Sequence, residues 1–303
     1  MASQLPLAAL SVDLISDFRQ LTAYPFMVNA LEAGTIVAVM AGVVGWFMVL
    51  RRETFAGHSL SVMAFPGATF ALLLGLSAAV GYYAFCGTCA LVIGSAAAAR
   101  RRHRGEESAV TGTVQAFGLA CGFLFLSLYQ GVLAGYENLL FGDFLGITRG
   151  QVLTLAIVCV VALGFFAVVG RPLLFASVDE PVASASGIPV RRVSLAFMLA
   201  LGLTVAATAQ ITGALLVFAL LVAPAATAQL ITARIGASLA LTVLLGIAIT
   251  WVGLALAYFY NYPVGFYITA VAFSVYLIAK LARTAIDHPT LLHDRSRPAQ
   301  APA

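Results

Sequence analysis

The chain has 303 residues, of which 62% are hydrophobic and only 9% are charged. Soluble domains usually carry about 25% charged residues, so this composition excludes a soluble enzyme, a disordered chain and a nucleic-acid-binding domain. The mean hydropathy is +1.01. About 20 apolar residues cross a bilayer as one helix, so the chain has material for eight or nine spans. The apolar runs are continuous rather than alternating, which excludes a transmembrane β-barrel.

We therefore predict an all-α polytopic membrane protein with about nine transmembrane helices. The expected organisation is a short amphipathic segment at residues 1–25, a membrane domain at 26–285 and a disordered cytoplasmic tail at 286–303. The candidate spans, in chain order, are 27–50, 59–76, 79–99, 109–130, 151–170, 193–209, 211–231, 237–260 and 264–282.

The basic residues predict how these spans are oriented. The net charge is +4, and 14 of the 16 basic residues fall in alternate breaks between spans or in the C-terminal tail. Only Arg19 and Arg149 fall on the other side. Because cytoplasmic loops of membrane proteins are enriched in Lys and Arg, we expect the N-terminus outside and the C-terminus in the cytoplasm.

The single lysine bears on the energy source. Lys280 is followed by Leu281, so the phosphate-loop signature G-x-x-x-x-G-K-[ST] does not occur in the chain. Any ATP-driven transport therefore needs a nucleotide site on another polypeptide. The sequence also has no H-E-x-x-H or G-x-S-x-G motif, so we predict no catalytic residue.

Two loops carry patterns of local structure. In the cytoplasmic segment 177–189, Asp179 or Glu180 can begin a helix and Gly187 can end it. A short helix that includes Ser184 would suit a docking surface, and a solvated connector is the alternative. The external segment 137–147 is apolar but too short to span, which is typical of a re-entrant or surface helix.

Polar residues within apolar spans are candidates for function, because ionisable groups are costly in a bilayer. Glu32 lies in the outer part of the first span, and the alternative interpretation is an acid that reaches the membrane interface. His58 begins the second span and is a candidate metal ligand, since neutral imidazole binds borderline metals such as zinc. Its alternative is a hydrogen-bonded histidine at a helix start. Ser61 and Met63 lie nearby, and Met63 is also a natural packing residue.

Four stretches together resemble the zinc/manganese-type ABC transporter permeases. They are GWFMVLRRETFAGHSLSVMAFPG at 45–67, LLFGDFLG at 139–146, DEPVASASGIP at 179–189 and GALLVFALLVAPAATA at 213–228. The resemblance runs from about residue 26 to residue 283. The four stretches come in the family's order and at matching positions of the predicted topology.

This resemblance implies the type II, cobalamin-permease-like importer fold in a bacterial cytoplasmic membrane. Two copies of the chain would form the pathway, and two ATPase subunits would dock through the helix at about 179–187. An extracytoplasmic solute-binding protein would deliver the cargo, usually a divalent metal such as zinc or manganese. The chain itself would bind no cofactor, since ATP is used by the partner subunit.

The sequence departs from the family pattern at the expected metal contacts. The family reads G-D-A-L-S-H-A-x-x-P-G after the first basic loop, and its Asp and His match His58 and Val62 here. One side chain of the i, i+4 pair is therefore aliphatic. A lone imidazole fits zinc or another borderline metal better than manganese, which prefers carboxylate oxygen. The alternatives are a metal chelate such as haem or a siderophore as cargo, or a stand-alone secondary transporter.

Overall fold

The computed structural model describes residues 19–99, 104–129, 139–140, 142, 144–260 and 262–287. Most of the predicted N-terminal segment and tail, and the first residues of the external segment, lie outside these ranges. The helices are α1 (Pro25–Leu50), α2 (Thr54–Leu73), α3 (Ala78–Ala99), α4 (Arg104–Leu128), α5 (Arg149–Val178), α6 (Glu180–Ala185), α7 (Val190–Ile231), α8 (Ile235–Phe259) and α9 (Val264–Asp287), with a 3₁₀ turn at Phe144–Gly146.

The predicted all-helical membrane fold is confirmed. Among the described residues, 8 helices are long and apolar enough to cross a membrane, and each coincides with a predicted span. Helices satisfy their own backbone hydrogen bonds, as a segment in lipid must. The remaining predicted span, 211–231, which is the seventh in chain order, corresponds to the shorter apolar helix Leu216–Ile231 in the second half of α7.

Helix α7 is broken at Gly213, where the backbone has φ 76° and ψ 156°. Ser194, near the start of α7, accepts a hydrogen bond from Arg51. Gln229, near its end, donates to the carbonyl oxygen of Trp46. Arg51 and Trp46 both lie at the C-terminal end of α1, whereas a straight helix would hold Ser194 and Gln229 ~50 Å apart. The two halves of α7 therefore fold back on each other at Gly213.

The core of the bundle forms around α7, which packs against α1, α2, α3, α5, α8 and α9. Helix α4 packs mainly on α2. Small residues let the backbones approach closely, as is common between membrane helices. A Cβ at Gly67 of α2 would meet the carbonyl oxygen of Gly81 in α3, and a Cβ at Gly81 would overlap that of Gly67.

The bundle has two distinct ends. We call one of them the α6 end, and it holds the loop of residues 51–53, helix α6 and the C-terminal end of α7. The start of α1, the loop between α2 and α3, and the 3₁₀ turn lie toward the opposite end. Asn29, near the start of α1, donates to the carbonyl oxygen of Ile147 just after that turn, at 3.1 Å.

Candidate functional site: an imidazole between α2 and α7

His58 is near the α6 end, within two helical turns of the start of α2. This helix begins at Thr54, directly after the loop of residues 51–53. Its ring is partly exposed and meets the ring of Phe218 edge-on, with centroids 4.8 Å apart. Phe218 belongs to the second half of α7, just beyond the break at Gly213. The imidazole therefore lies between α2 and the broken helix.

One ring nitrogen of His58 lacks a hydrogen bond among the described residues. Its Nδ1 atom is buried and has no hydrogen-bond partner in the part of the chain that the structure describes. A buried polar atom normally has a partner, so an exception calls for an explanation. A neutral imidazole nitrogen can bind a borderline metal ion such as zinc.

Three residues that follow His58 in α2 face different neighbours: Ser61, Val62 and Met63. The Ser61 hydroxyl donates to the carbonyl oxygen of His58 at 2.7 Å, within the same helix. Val62 is 8% exposed and lies one turn after His58 on the same face of α2. The Met63 thioether is buried against Gly118 of α4. The structure thus places Ser61 and Val62 beside His58 and turns Met63 toward α4.

Glu32 lies in a different part of the bundle. It is near the start of α1, whereas His58 is near the opposite end of the antiparallel helix α2, and their axial separation is about 20 Å. The Glu32 carboxylate lies 3.6 Å from the Arg149 guanidinium; the Arg149 side chain is 77% exposed and the Glu32 side chain 42% exposed. Beside it, Thr35 and Trp251 line an apolar groove of about 470 Å³. Glu32 and His58 therefore do not form one site.

The predicted short helix in the cytoplasmic segment is confirmed as α6. Asp179 is its N-cap, and the carboxylate accepts a hydrogen bond from the backbone N–H of Val182 at 3.0 Å. Gly187 follows the helix with φ 84°. The backbone N–H groups of Gly187 and Ile188 donate to the carbonyl oxygens of Ser184 and Ala183, both at 3.1 Å. This pairing is a Schellman motif, which needs a residue such as glycine in the left-handed conformation.

Helix α6 is exposed on one side and anchored on the other. Ala183 is fully buried and packs with Ala176 of α5 and Val190 of α7. Ser184 is exposed and Glu180 is half-buried. The predicted docking residues thus share one short, well-capped helix at the α6 end, and their role in docking stays a prediction.

Sequence reasoning missed two features of this region. Phe218 contacts His58 across 160 positions of the chain, and no local pattern signals such a pair. Helix α7 also buries the hydroxyl groups of Thr204 and Thr208, whose Oγ1 atoms have no hydrogen-bond partner among the described residues. Their spacing of four residues within an apolar run is a signal that the sequence does contain.

No metal cluster is preassembled within the described ranges, where no group of three or more His, Cys, Asp or Glu side chains comes together. The four cysteines are free, and Cys86 and Cys159 are buried. His58, the one residue predicted to bind a metal, lies between α2 and α7.

The long apolar helices define a multi-pass integral membrane protein, and the family and bacterial relatives described next place it in the bacterial plasma membrane. The sequence profile of the ABC 3 transport family matches residues 23–283, and the chain belongs to this family. The manganese transport system membrane protein MntC of Halalkalibacterium halodurans is 31% identical over 86% of this chain and 89% of its own length. The chelated iron transport system membrane protein YfeC of Yersinia pestis is 28% identical over 92% of this chain and 95% of its own.

A solved structure has the same architecture. PsaBC from Streptococcus pneumoniae, in complex with a Fab, aligns with a TM-score of 0.76 and 28% sequence identity, and the match covers 88% of this chain and 95% of that one. The chain is thus a permease subunit of an ABC transporter, and the resemblance of its four sequence stretches to this class is confirmed.

Proposed function

We propose that this chain is the membrane-spanning subunit of an ATP-driven importer for a divalent first-row metal, zinc or manganese. Two copies form the pathway and give alternating access. Two ATPase subunits supply the energy from the α6 end, and an extracytoplasmic binding protein delivers the ion. Membership of the ABC 3 family and the metal-transport names of its relatives support this proposal.

The proposed contact between the chain and the transported metal rests on the unpaired imidazole nitrogen of His58. It lies on α2 against Phe218 of the broken helix α7. Interrupted helices commonly line substrate paths in transporters, because the break exposes backbone groups there. A single weak ligand suits a pathway, since the ion must leave as readily as it enters.

The replacement of the family's Asp and His by His58 and Val62 affects the choice of ion. A lone neutral nitrogen ligand favours zinc over manganese. It also favours the second candidate function, import of a metal chelate, whose own ligands satisfy the metal. The similarity to a chelated iron transport protein supports this second candidate. Membership of an ABC family does not agree with a stand-alone secondary transporter.

The test is cellular metal content under chelator-imposed starvation, in a deletion strain restored with variants of this chain. We expect deletion to lower cellular zinc or manganese. We expect His58→Ala to raise the metal concentration for half-maximal uptake about tenfold, which corresponds to about 1.4 kcal/mol of lost ligand contact. Val62→His restores the second ligand one turn away and should lower the metal concentration for half-maximal uptake.

Thr88→Ala, on the exposed face of α3, is the matched control and should leave uptake unchanged. If deletion lowers cellular metal but His58→Ala shows normal uptake, the chain is still an importer and His58 does not contact the transported metal. Unchanged zinc and manganese in every strain would contradict the free-ion cargo and favour the chelate.

A further inference from the structure

Arg51 lies at the α6 end and contacts three segments of the chain. Its Nε and Nη2 atoms donate to Oε1 of Glu53, at 3.1 and 2.9 Å. Its Nη1 donates to the hydroxyl of Ser177 at 3.2 Å, and Nη2 also donates to that of Ser194 at 3.0 Å. The Arg51 side chain is only 10% exposed. A nearly buried guanidinium with this many partners is strongly fixed in position.

The two serines flank helix α6. Ser177 is in the last turn of α5, which leads into α6, and Ser194 is in the first turns of α7, which follows α6. Arg51 itself is the C-cap residue of α1, where a positive charge is favoured by the helix dipole. One side chain therefore connects α1 to both helices that hold α6.

An aromatic row beneath Arg51 connects the same three helices. The Arg51 guanidinium lies 5.2 Å from the ring centroid of Phe197 in α7. Phe197 packs edge-on against Phe166 of α5 at 6.2 Å, and Phe166 stacks on Phe47 of α1 at 5.1 Å. Cation–π contacts of a desolvated arginine add to its hydrogen bonds. The junction is thus held by the hydrogen bonds of Arg51 and by the aromatic contacts beneath it.

The chain leaves this junction directly into α2. Only Arg52 and Glu53 separate Arg51 from Thr54, and Arg52 has φ 59° in a tight turn. Glu53 is fixed by Arg51 at one side of this turn and is the N-cap residue of α2 at the other. A connection this short and this constrained carries a displacement of the junction to the start of α2, which bears His58.

We propose that Arg51 is a positioning residue that couples movement of α6 to α2, and so links the docking surface to the imidazole at His58. This inference rests on the proposed function, in which ATPase subunits dock at α6. Hydrogen-bond networks and rigid elements that connect two distant sites can carry energetic coupling between them. The guanidinium, its two serine partners and the two-residue turn form that element.

The geometry distinguishes this role from a general need for positive charge. A cytoplasmic positive charge that only orients the chain is supplied equally well by lysine. Lysine has one compact ammonium group, which cannot reach Glu53, Ser177 and Ser194 together as the planar guanidinium does. Arg51→Lys should therefore preserve insertion and assembly but fail to restore coupling.

The experiment uses the complete importer, with its ATPase and binding protein, reconstituted in proteoliposomes and tested with Mn²⁺ and Zn²⁺. ATP hydrolysis and metal transport are measured in the same sample. The variants are the double substitution Ser177→Ala/Ser194→Ala, and Arg51→Lys. The matched controls are Ser274→Ala in α9, whose exposed hydroxyl donates to the carbonyl oxygen of Ala270 in the same helix, and Arg234→Lys, whose side chain is exposed between α7 and α8.

We expect both test variants to assemble with the ATPase and to hydrolyse ATP within twofold of the wild-type rate. The metal transported per ATP should fall fivefold or more, whereas both controls should match the wild type. Unchanged transport per ATP in the double variant would overturn the proposal. Loss of ATPase assembly in the test variants would also overturn it, because Arg51 would then act only in folding.

The design separates this proposal from the proposed function. If the wild-type importer transports neither ion, the proposed cargo is wrong. In that case, coupling is measured as the increase in ATP hydrolysis when the binding protein is added. Loss of that stimulation in the two test variants but not in the controls would support the role of Arg51, and its retention would overturn it.

Discussion

At the level of single residues, Gly45 determines how closely α1 approaches α7. A Cβ at this position would overlap the backbone carbonyl oxygen of Leu221. Backbone atoms cannot move aside as a flexible side chain does, so an added methyl group must separate the two helices. The same contact region holds Trp46, whose carbonyl oxygen accepts a hydrogen bond from Gln229 at 2.9 Å.

We predict that Gly45→Ala destabilises the protein by about 1–3 kcal/mol, the usual cost of overpacking. The measurement is the midpoint of thermal unfolding in detergent, which should fall by several degrees at roughly 2–4 °C per kcal/mol. The matched control is Gly164→Ala in α5, where a Cβ meets nothing within 4 Å. It should be neutral or slightly stabilising, because alanine favours a helix over glycine. Equal effects of the two substitutions would contradict this account of the α1–α7 contact.

Residue-level prediction succeeded for local signals and failed for distant partners. Asp179 and Gly187 were predicted to bound a short helix, because capping depends on hydrogen bonds to residues within the same few turns. The contact of His58 with Phe218 was not predicted. The direction in which His58 points depends on the rotation of α2 within the bundle, which is set by packing.

Among the elements, α7 shows how the two predicted spans 193–209 and 211–231 are joined. The sequence predicts two spans with a break near residue 210, and the structure has two helical halves that meet at a single non-helical residue, Gly213. Gly142 packs against this break, since a Cβ there would overlap the backbone of Thr212. The reversal of direction therefore needs no loop, and it brings Phe218 beside His58.

We predict that Gly213→Ala weakens this break, because φ 76° with ψ 156° is essentially restricted to glycine. The expected cost is about 1–3 kcal/mol. It should appear as roughly tenfold faster amide hydrogen exchange in α7 on both sides of residue 213, through more frequent local opening. Gly236→Ala, at the start of α8 with open space around it, should leave exchange in α7 unchanged. Unaltered exchange in Gly213→Ala would show that the break does not depend on glycine.

For the whole molecule, the distribution of basic residues predicts that the α6 end faces the cytoplasm. Arg51, Arg191, Arg192 and Arg234 lie at that end, and Arg149 lies near the opposite end. The charge bias of loops orients membrane proteins during insertion. The same orientation is required if ATPase subunits are to reach α6.

We predict that Ser77→Cys, in the exposed loop between α2 and α3, reacts with a membrane-impermeant maleimide added to intact cells. Ser186→Cys, exposed just after α6, should react only in inside-out vesicles. The wild-type chain controls for its own four cysteines, of which Cys86 and Cys159 are buried. Labelling of Ser186→Cys in intact cells would reverse the predicted orientation.

The sequence alone determined the class of protein, the positions of most helices and the membership of an ABC permease family. Hydrophobic runs, capping residues and short motifs are local or linear features, so they are present in the chain before it folds. The tertiary structure alone decided that Arg51 joins Ser177 and Ser194, that the halves of α7 meet at the single residue Gly213, and that Phe218 lies against His58. These relations depend on helix rotation, tilt and close approach, which arise from the packing of all the helices at once.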